Sequence, residues 1–225
     1  MTTLLEIPIE WTVADLQDYL DGIPAHRIRL RPWPGTATVQ DVVRMDDHHD
    51  RLCELIDGVL VEKAMGFEES WIAANLLFFL GQFLQHYPLG IVTGADGLIQ
   101  LLPHQVRIAD VAYFAWERMP DRRLPREAVP HLVPDLAVEV LSRSNTPTEM
   151  RRKLREYFQA GVRLVWYIDP ASRTVTIYHD EHDAVALHEH QMLTGDEVLP
   201  GFELSVRQLF TPSAAPQSST DVPTR

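Results

Sequence analysis

The sequence predicts an α/β (α+β) fold in which a central mixed β-sheet is flanked by helices. Two observations carry this prediction. Short apolar runs bounded by turn residues alternate with longer segments in which apolar residues recur about every 3.6 positions. The elements come in the order hairpin, helix, several strands, helix and strands, which is typical of helices packed on a mixed sheet. With 45% hydrophobic residues among 225, the chain has ample material for a core.

The patterning divides the chain into three regions. Residues 1–45 are predicted to form an N-terminal extension, with a short helix from Val13 to Leu20 and a proline-rich connection after it. Residues 46–210 carry the alternating elements and are predicted to form the main domain. Residues 211–225 are rich in Ser, Pro and Ala, so we expect a disordered tail there.

The first half of the main domain predicts a hairpin, a helix and several strands. In the run CELIDGVLVEK, the pair Asp57-Gly58 stands between two short apolar strands, which is a hairpin signal. From Phe67 to Tyr87 the apolar residues follow a helical period, and Pro88 ends the predicted helix. Several strands are expected between Ile91 and Phe114.

The second half predicts a strand, a well-marked helix and a final hairpin. The apolar run from Val133 to Leu141 is a strand. Thr146 can cap the next helix, Pro147 suits its first position, and Glu149 completes a capping box, while Gly161 ends it. The last hairpin joins Leu164–Asp169 to Thr174–Tyr178.

The charge is acidic overall but uneven. A net charge of −12 argues against general adhesion to nucleic acid or anionic membranes, yet residues 63–178 hold 13 Lys/Arg against 12 Asp/Glu. Cys53 is the single cysteine, which suits a reducing cytoplasm. The N-terminus MTTLLEIPIEW lacks the pattern of a signal peptide, and no apolar run is long enough to span a bilayer. We therefore expect a cytoplasmic protein with no membrane partner.

Two predicted strands each place a carboxylate on an apolar face. Asp135 and Glu139 share one face of the strand from Val133 to Leu141, because successive side chains alternate sides. In the run VRIADVAYF, interpreted as one strand, Asp110 stands among apolar neighbours. Glu139 and Asp135 could equally face solvent or pair with arginines, and Asp110 alone could be an acid at a strand end or edge. Together, Asp110 and Glu139 could hold a divalent cation, since Mg²⁺ typically takes one or two carboxylates and keeps several waters.

Three further residues are candidates for the site, and each also has a simple structural explanation. Glu54 on the first hairpin and Glu69 near the start of the long helix could add carboxylates, although an exposed strand position and a helix-dipole contact explain them as well. Lys153 could reach back toward the strand that carries Glu139, or its stem could simply lie along the surface. No P-loop, G-x-S-x-G or HExxH motif occurs.

Five sequence blocks stand out: CELIDGVLVEKAMGFEES, IVTGADG, VRIADVAYF, PDLAVEVLSRSNTPTEMRRKLREYF and AGVRLVWYIDP. In consistent order over roughly residues 12–210, they resemble the Uma-two family of putative restriction endonucleases. That family is placed in the PD-(D/E)XK nuclease superfamily. The resemblance implies a mixed sheet flanked by helices, with an N-terminal extension here, and Mg²⁺-dependent hydrolysis of phosphodiesters.

The resemblance also implies roles for individual residues. Asp110 matches the aspartate of the first motif, with Ala109 where a proline is common, and Glu139 matches the acid of the second. The superfamily's usual lysine falls on Leu141. In this family a lysine from the following helix takes that role, and the matching residue here is Lys153.

Residues and resemblance together predict a nuclease that acts on DNA, with Mg²⁺ or Mn²⁺ held by Asp110 and Glu139. Lys153 would orient or activate the attacking water, with Glu54 or Glu69 as an accessory acid. A decayed nuclease fold that mediates protein contacts and a hydrolase of a smaller phosphodiester are the alternatives, and a homodimer is left open. The candidate phosphate contacts are Arg122, Arg123, Arg126, Arg143, Arg151 and Arg152.

Overall fold

The computed structural model describes residues 7–8, 10–47, 51–64 and 66–212. Its α-helices are α1 (Val13–Tyr19), α2 (Val39–Asp47), α3 (Phe67–His86), α4 (Pro147–Ala160) and α5 (Val206–Phe210). Its strands are β1 (Cys53–Ile56), β2 (Val59–Glu62), β3 (Gly90–Thr93), β4 (Ile99–Leu102), β5 (Gln105–Arg107), β6 (Val111–Ala115), β7 (Leu136–Val140), β8 (Leu164–Asp169), β9 (Thr174–Tyr178), β10 (Ala184–Leu187), β11 (Met192–Gly195) and β12 (Leu199–Ser205). Short 3₁₀ turns cover Ala25–Arg27, Trp116–Arg118 and Pro120–Arg122.

The central sheet has six strands in the order β10-β9-β8-β7-β6-β3. Strands β7 and β8 are parallel, and the other neighbouring pairs are antiparallel. Helix α4 makes the crossover that the parallel pair requires. An antiparallel sheet in the order β2-β1-β5-β4 and the pair β11-β12 complete the arrangement. The predicted mixed sheet flanked by helices is confirmed.

Each face of the central sheet packs against a different helix. On one face, Val138 belongs to a buried cluster with apolar residues of α3. On the other, Ala112 and Ala137 belong to a cluster with apolar residues of α4. Asp110 precedes Ala112 by two positions and Glu139 follows Ala137 by two, so both acids point toward the α4 face.

Helix α4 begins and ends where the sequence predicts. The hydroxyl of Thr146 accepts a hydrogen bond from the backbone N–H of Glu149 at 3.1 Å. The Glu149 carboxylate in turn accepts from the Thr146 N–H at 3.4 Å, which completes the capping box. Pro147 is the first helical residue, and Gly161 terminates the helix with a left-handed φ of 97°. The position of Lys153 on this helix therefore follows from local signals.

The run VRIADVAYF is not one strand, and that prediction is wrong. Strand β5 ends at Arg107 and belongs to the four-stranded sheet, whereas β6 begins at Val111 in the six-stranded sheet. The chain changes sheets over residues 108–110, so this stretch cannot pair continuously within either sheet. Asp110 consequently lies immediately before β6, at the junction of the two sheets.

The N-terminal segment packs on the main domain through a hydrophobic cluster. This cluster joins α1 and the segment after it to the β1-β2 hairpin and contains Leu16, Leu20, Ile23, Ile28, Ile56, Val59 and Val61. Residue 45, the predicted end of the N-terminal extension, lies inside helix α2. Most of the predicted tail, residues 213–225, lies outside the described residues. Among the helices that are described, none combines the length and apolar character needed to cross a membrane.

Candidate active site

Asp110 lies opposite Glu139 at the start of the antiparallel β6-β7 pair. The pairing of Val111 with Val138 continues by one step, because the N–H of Asp110 donates to the C=O of Val138 at 3.0 Å. The N–H of Val140 then donates to Oδ2 of Asp110 at 2.7 Å. Only 6% of Asp110 and 5% of Glu139 is exposed. Two carboxylates that face each other in this way repel unless a cation compensates them.

Lys153 joins Glu139 to Glu54. Its ammonium Nζ lies 2.8 Å from Oε1 of Glu139 and 2.9 Å from Oε1 of Glu54, and all three side chains are buried. The hydroxyl of Tyr157, one helical turn further along α4, also donates to Oε1 of Glu139. The structure thus brings Lys153 to the acid of β7, as the resemblance implied.

Burial and charge shift the pKa values of this group in opposite directions. Burial raises the pKa of Glu139 above its ordinary value, which Lys153 only partly offsets, and the nearby charge of Asp110 raises it further. Burial alone would lower the pKa of Lys153, but Glu139 and Glu54 outweigh it and raise that pKa. These contacts favour the protonated form of Lys153, which donates hydrogen bonds to both carboxylates.

Lys63 is a site residue that the sequence analysis missed. Its Nζ lies 2.9 Å from Oδ1 of Asp110 and donates to the C=O of Ile108 at 2.8 Å. Its side chain is only 5% exposed. The residue directly follows β2, so pairing of the hairpin with β5 carries it to the sheet junction.

The lysine usage of the chain was the signal that could have identified Lys63. The sequence contains 18 arginines and two lysines, Lys63 and Lys153. Each lysine contacts one of the two facing acids, Lys63 on Asp110 and Lys153 on Glu139. A compact ammonium suits a crowded position between carboxylates better than the planar guanidinium of arginine.

Glu54 anchors Lys153 and has no free carboxylate oxygen. Its Oε1 accepts from the N–H of Ile108 at 3.0 Å as well as from Lys153, and its Oε2 pairs with Arg107 at 2.8 Å. Burial would raise the pKa of Glu54, but Lys153 and Arg107 outweigh it and hold that pKa well below the ordinary range. This arrangement favours a positioning role for Glu54 over a role as metal ligand.

The ion-pair network continues from Glu54 to the molecular surface. Arg107 is buried and donates through Nε to Glu156 at 2.8 Å. Glu156 also accepts from Nε of Arg152 at 2.8 Å, and the guanidinium of Arg152 reaches Asp57 in the β1-β2 turn. Acids and bases alternate along this path, so each buried charge has partners of the opposite sign.

Glu69 lies apart from the two facing acids. It stands in the first turn of α3, and its carboxylate lies against the backbone of Gly66. It lines an open cleft of about 590 Å³ whose walls also include Lys63, Ser142 and Arg143. Glu69 therefore borders the approach to the site, and no contact in the structure joins it to Asp110 or Glu139.

The candidate phosphate contacts fall into different surroundings. Arg143 is exposed and lines the cleft. Arg152 is mostly buried and held by carboxylates, so its guanidinium is not presented to a ligand. Arg122 pairs with the exposed Glu117 at 3.4 Å. The remaining candidates are also exposed: Arg123 and Arg126 on the loop after β6, and Arg151 on α4.

Asp135, the other acid of the predicted strand, is structural. It lies just before β7, where its carboxylate accepts from the N–H of Ala115 at 2.9 Å and pairs with Arg118 at 3.0 Å. Glu139 stands near the opposite end of β7. Asp135 and Glu139, which were predicted on one strand face, therefore lie near opposite ends of β7. Of the two, Glu139 is the one opposite Asp110.

The donor set fits a hard divalent cation held by two protein carboxylates. Asp110 and Glu139 supply the oxygens, and the side-chain contacts that reach Glu139 from the described residues fall on its Oε1. Mg²⁺ commonly binds one or two carboxylates and keeps several waters. Over the described part of the chain, no group of three or more His, Cys, Asp or Glu side chains is arranged to hold a metal ion.

The family model described as "Uma2: Putative restriction endonuclease" matches residues 39–207. The chain belongs to this family. The Uma2 match confirms the resemblance carried by the five sequence blocks. It also includes every candidate site residue, from Glu54 through Lys153.

One solved structure supports the same fold for this Uma2 chain. It is the crystal structure of a putative nuclease belonging to DUF820 from Anabaena variabilis ATCC 29413, with a TM-score of 0.63. The two chains are 19% identical, and the match covers 72% of this chain and 90% of that one. At this identity the likeness shows the fold alone. The search of curated proteins found no match.

Proposed function

We propose that this Uma2 protein is a metal-dependent endonuclease that hydrolyses phosphodiester bonds of DNA. The observation that carries the proposal is the facing pair of buried carboxylates, Asp110 and Glu139, with an ammonium beside each. Such a pair is unfavourable by itself, and a bound divalent cation would compensate it. Membership of a family described as putative restriction endonucleases agrees with this chemistry.

Each residue of the site would have its own role in the reaction. Asp110 and Glu139 would hold Mg²⁺ or Mn²⁺, which when bound neutralises charge on a phosphate and acidifies a coordinated water. Lys153 stays protonated and donates hydrogen bonds, so it can orient the attacking water and stabilise negative charge that develops on the phosphate. Glu54 holds the ammonium of Lys153 in place. Lys63 holds the carboxylate of Asp110 in place through its ion pair with Oδ1.

Binding of DNA would rest on exposed cations, of which Arg143 and Arg151 belong to the elements that follow Glu139. Arg143 lines the cleft beside Lys63, and Arg151 is exposed on the helix that carries Lys153. Arg123 and Arg126 are exposed on the loop that starts at the far end of β6 from Asp110. Phosphate contacts of this kind position a nucleic acid and make its affinity fall with salt.

A cleavage assay tests the proposal. The wild-type protein, Asp110→Asn and Glu139→Gln are incubated with supercoiled plasmid, single-stranded oligonucleotide and bis-p-nitrophenyl phosphate, in Mg²⁺, Mn²⁺ or EDTA. We expect the wild type to cut DNA only with metal, and both variants to be inactive while folded. Glu117→Gln, at an acid that is 71% exposed in its side chain, is the control and should cut normally.

Three outcomes would contradict the proposal. Turnover of the small diester without cleavage of DNA would favour a hydrolase of smaller phosphodiesters. No cleavage of any substrate with either metal would favour a decayed nuclease fold that mediates protein contacts. Cleavage at the wild-type rate by Asp110→Asn or Glu139→Gln would mean that these acids do not hold the metal.

A further inference from the structure

The cleft beside Asp110 is bounded by the same elements that carry the candidate site. One wall begins at Lys63, which contacts Asp110, and continues into the first turn of α3. The other wall is the turn from Ser142 to Ser144, which follows β7 directly after Glu139. Asp110 and Glu139 do not line the cleft themselves, and Lys63, which does, contacts Asp110.

A phenylalanine with a highly exposed ring lines this cleft. Phe67 lines it and is 92% exposed, the most exposed large apolar residue in the described chain. Hydrophobic residues of α3 such as Ile72 and Leu76 are buried against the sheet, so Phe67 does not contribute to that core. An exposed aromatic ring offers a flat apolar face on which a nucleobase can stack.

The charged residues of the cleft differ in what they offer a ligand. Arg143 is an exposed cation on the turn after β7, whereas the ammonium of Lys63 is buried and already bonded to Asp110 and to the C=O of Ile108. Glu68 and Glu69 stand beside Phe67 in the first turn of α3, and Glu62 also lines the cleft. Carboxylates repel phosphate but accept hydrogen bonds from amino groups of bases. A phosphate therefore belongs toward Arg143, and a base toward Phe67.

The size of the cleft limits what can enter it. Its volume is about 590 Å³, within the range of roughly 300–1,000 Å³ that is typical of pockets for ligands the size of a nucleotide. A paired and stacked base cannot present its face to a side chain, whereas an unpaired one can. The volume and the exposed ring point to one or two unstacked nucleotides.

We propose that this cleft binds an unstacked nucleotide of the substrate, with the base stacked on Phe67 and the phosphate toward Arg143. The preferred substrate is then single-stranded DNA, or duplex DNA from which a nucleotide has been displaced. This inference rests on the proposed function, because it takes the nucleotide to belong to the substrate of the site formed by Asp110 and Glu139.

Binding of a fluorescent oligonucleotide tests the inference without cleavage. A short single strand with a central 2-aminopurine, and the same strand in a duplex, are titrated with full-length protein in EDTA. Stacking on Phe67 should quench the fluorophore in the single strand. Phe67→Leu keeps an apolar side chain but removes the ring, and should weaken binding on the order of 5- to 100-fold and abolish the quench. Phe67→Trp should retain both.

Phe78→Leu is the matched control, because Phe78 is 58% exposed on the same helix and does not line the cleft. It should bind and quench like the wild type. The inference is overturned if the wild type shows no quench, if Phe67→Leu binds like the wild type, or if the duplex binds as tightly as the single strand. It is also overturned if Phe67→Leu changes the oligomeric mass, since Phe67 would then contact a second copy.

The same variants separate this inference from the proposed function. Quenching and binding that depend on Phe67, in a protein that cuts no nucleic acid with Mg²⁺ or Mn²⁺, would support the nucleotide cleft and contradict the nuclease. Metal-dependent cleavage with unchanged KM in Phe67→Leu would support the nuclease and contradict the cleft.

Discussion

The ammonium of Lys153 lies 2.8 Å from the carboxylate of Glu139, one on α4 and the other on β7. The sequence resemblance to the PD-(D/E)XK pattern predicts this lysine on the strand itself, at the position held here by Leu141. Leu141 instead packs, partly buried, against the apolar cluster on the α4 face. Helix α4 therefore provides the cation beside Glu139, because β7 itself carries none at that position.

Replacing Lys153 should remove most of the activity. Because the ammonium is a fixed donor beside Glu139, we expect Lys153→Ala to lower kcat by a factor on the order of 10² or more, comparable to the loss of one preorganised electrostatic donor. Lys153→Arg should restore little, since a planar guanidinium cannot occupy the space between Glu54 and Glu139. The measurement is single-turnover cleavage of DNA, with circular dichroism to verify folding.

Arg155 provides the control for Lys153. It lies on the same helix but is exposed, so Arg155→Ala should keep its kcat. A folded Lys153→Ala with full turnover would refute the role of the helix lysine and move the decayed-nuclease alternative to first place.

Lys63 should govern how strongly metal stabilises the protein. Lys63→Met removes the cation beside Asp110, so Asp110 and Glu139 repel more strongly in the metal-free protein. We expect a lower unfolding temperature in EDTA and a larger rise on addition of Mg²⁺ than in the wild type. Differential scanning fluorimetry measures both values, with Arg155→Met as the control. Equal Mg²⁺-induced shifts in all three proteins would show that Lys63 does not compensate the acid pair.

Local sequence signals predicted helix α4 well because its ends depend on nearby residues. Thr146, Pro147 and Glu149 fix its start, and Gly161 fixes its end, whatever the rest of the chain does. The hairpin around Asp57-Gly58 and that of β8 and β9 are local in the same way. These three predictions, whose signals lie within the elements themselves, are confirmed.

Contacts between distant segments could not be predicted in this way. The change of sheet over residues 108–110 depends on the pairing of β5 with β1, which no property of the run VRIADVAYF reveals. The same pairing brings Lys63 to Asp110 and Arg107 to Glu54. The sequence therefore indicated two acids, which the structure places on facing strand positions, but not the lysines and arginines that surround them.

Glu54 should make the stability of the protein sensitive to acid. Its pKa is lowered in the folded state by Lys153 and Arg107 against the effect of burial, whereas an unfolded glutamate titrates near about 4.3. A depressed pKa contributes stability that is complete above the unfolded pKa and is lost as the pH falls below it. We expect the free energy of unfolding to fall as the pH drops below about 5.

Urea unfolding of Glu54→Gln between pH 7 and pH 3 measures this contribution. The variant should lose about 3–5 kcal/mol at pH 7, because Lys153 and Arg107 lose a buried partner, and its stability should fall less steeply in acid. Glu117→Gln, at an exposed acid, should follow the wild type. Parallel pH profiles for Glu54→Gln and the wild type would contradict the pKa assignment.

Arg27 should stabilise the helix that carries Lys153. Its guanidinium is buried and makes two hydrogen bonds to the carboxylate of Glu149, at 2.9 and 3.1 Å, while its Nε donates to the C=O of Glu62 at 2.9 Å. We expect Arg27→Met to cost about 3–5 kcal/mol in the free energy of unfolding, because Glu149 stays buried without its partner. Chemical denaturation measures the loss.

The double variant Arg27→Met/Glu149→Gln tests the cause, because glutamine removes the charge but keeps an acceptor for the capping box. Removing both charges should recover much of the stability lost by Arg27→Met alone, since no buried charge is then unpaired. Arg44→Met is the control and should change little, because the Arg44 side chain that pairs with Asp41 is itself 68% exposed. A double variant no more stable than the single one would show that Arg27 acts through its backbone contact with Glu62 instead.

The central claim is that Asp110 and Glu139 hold one divalent cation. Anomalous diffraction from crystals soaked in Mn²⁺ tests it most directly, with Glu139→Gln crystals treated identically. We predict one strong anomalous peak within about 2.0–2.6 Å of a carboxylate oxygen of each acid, and none there in the variant. A peak elsewhere, or none under conditions in which the protein cuts DNA, would contradict the account.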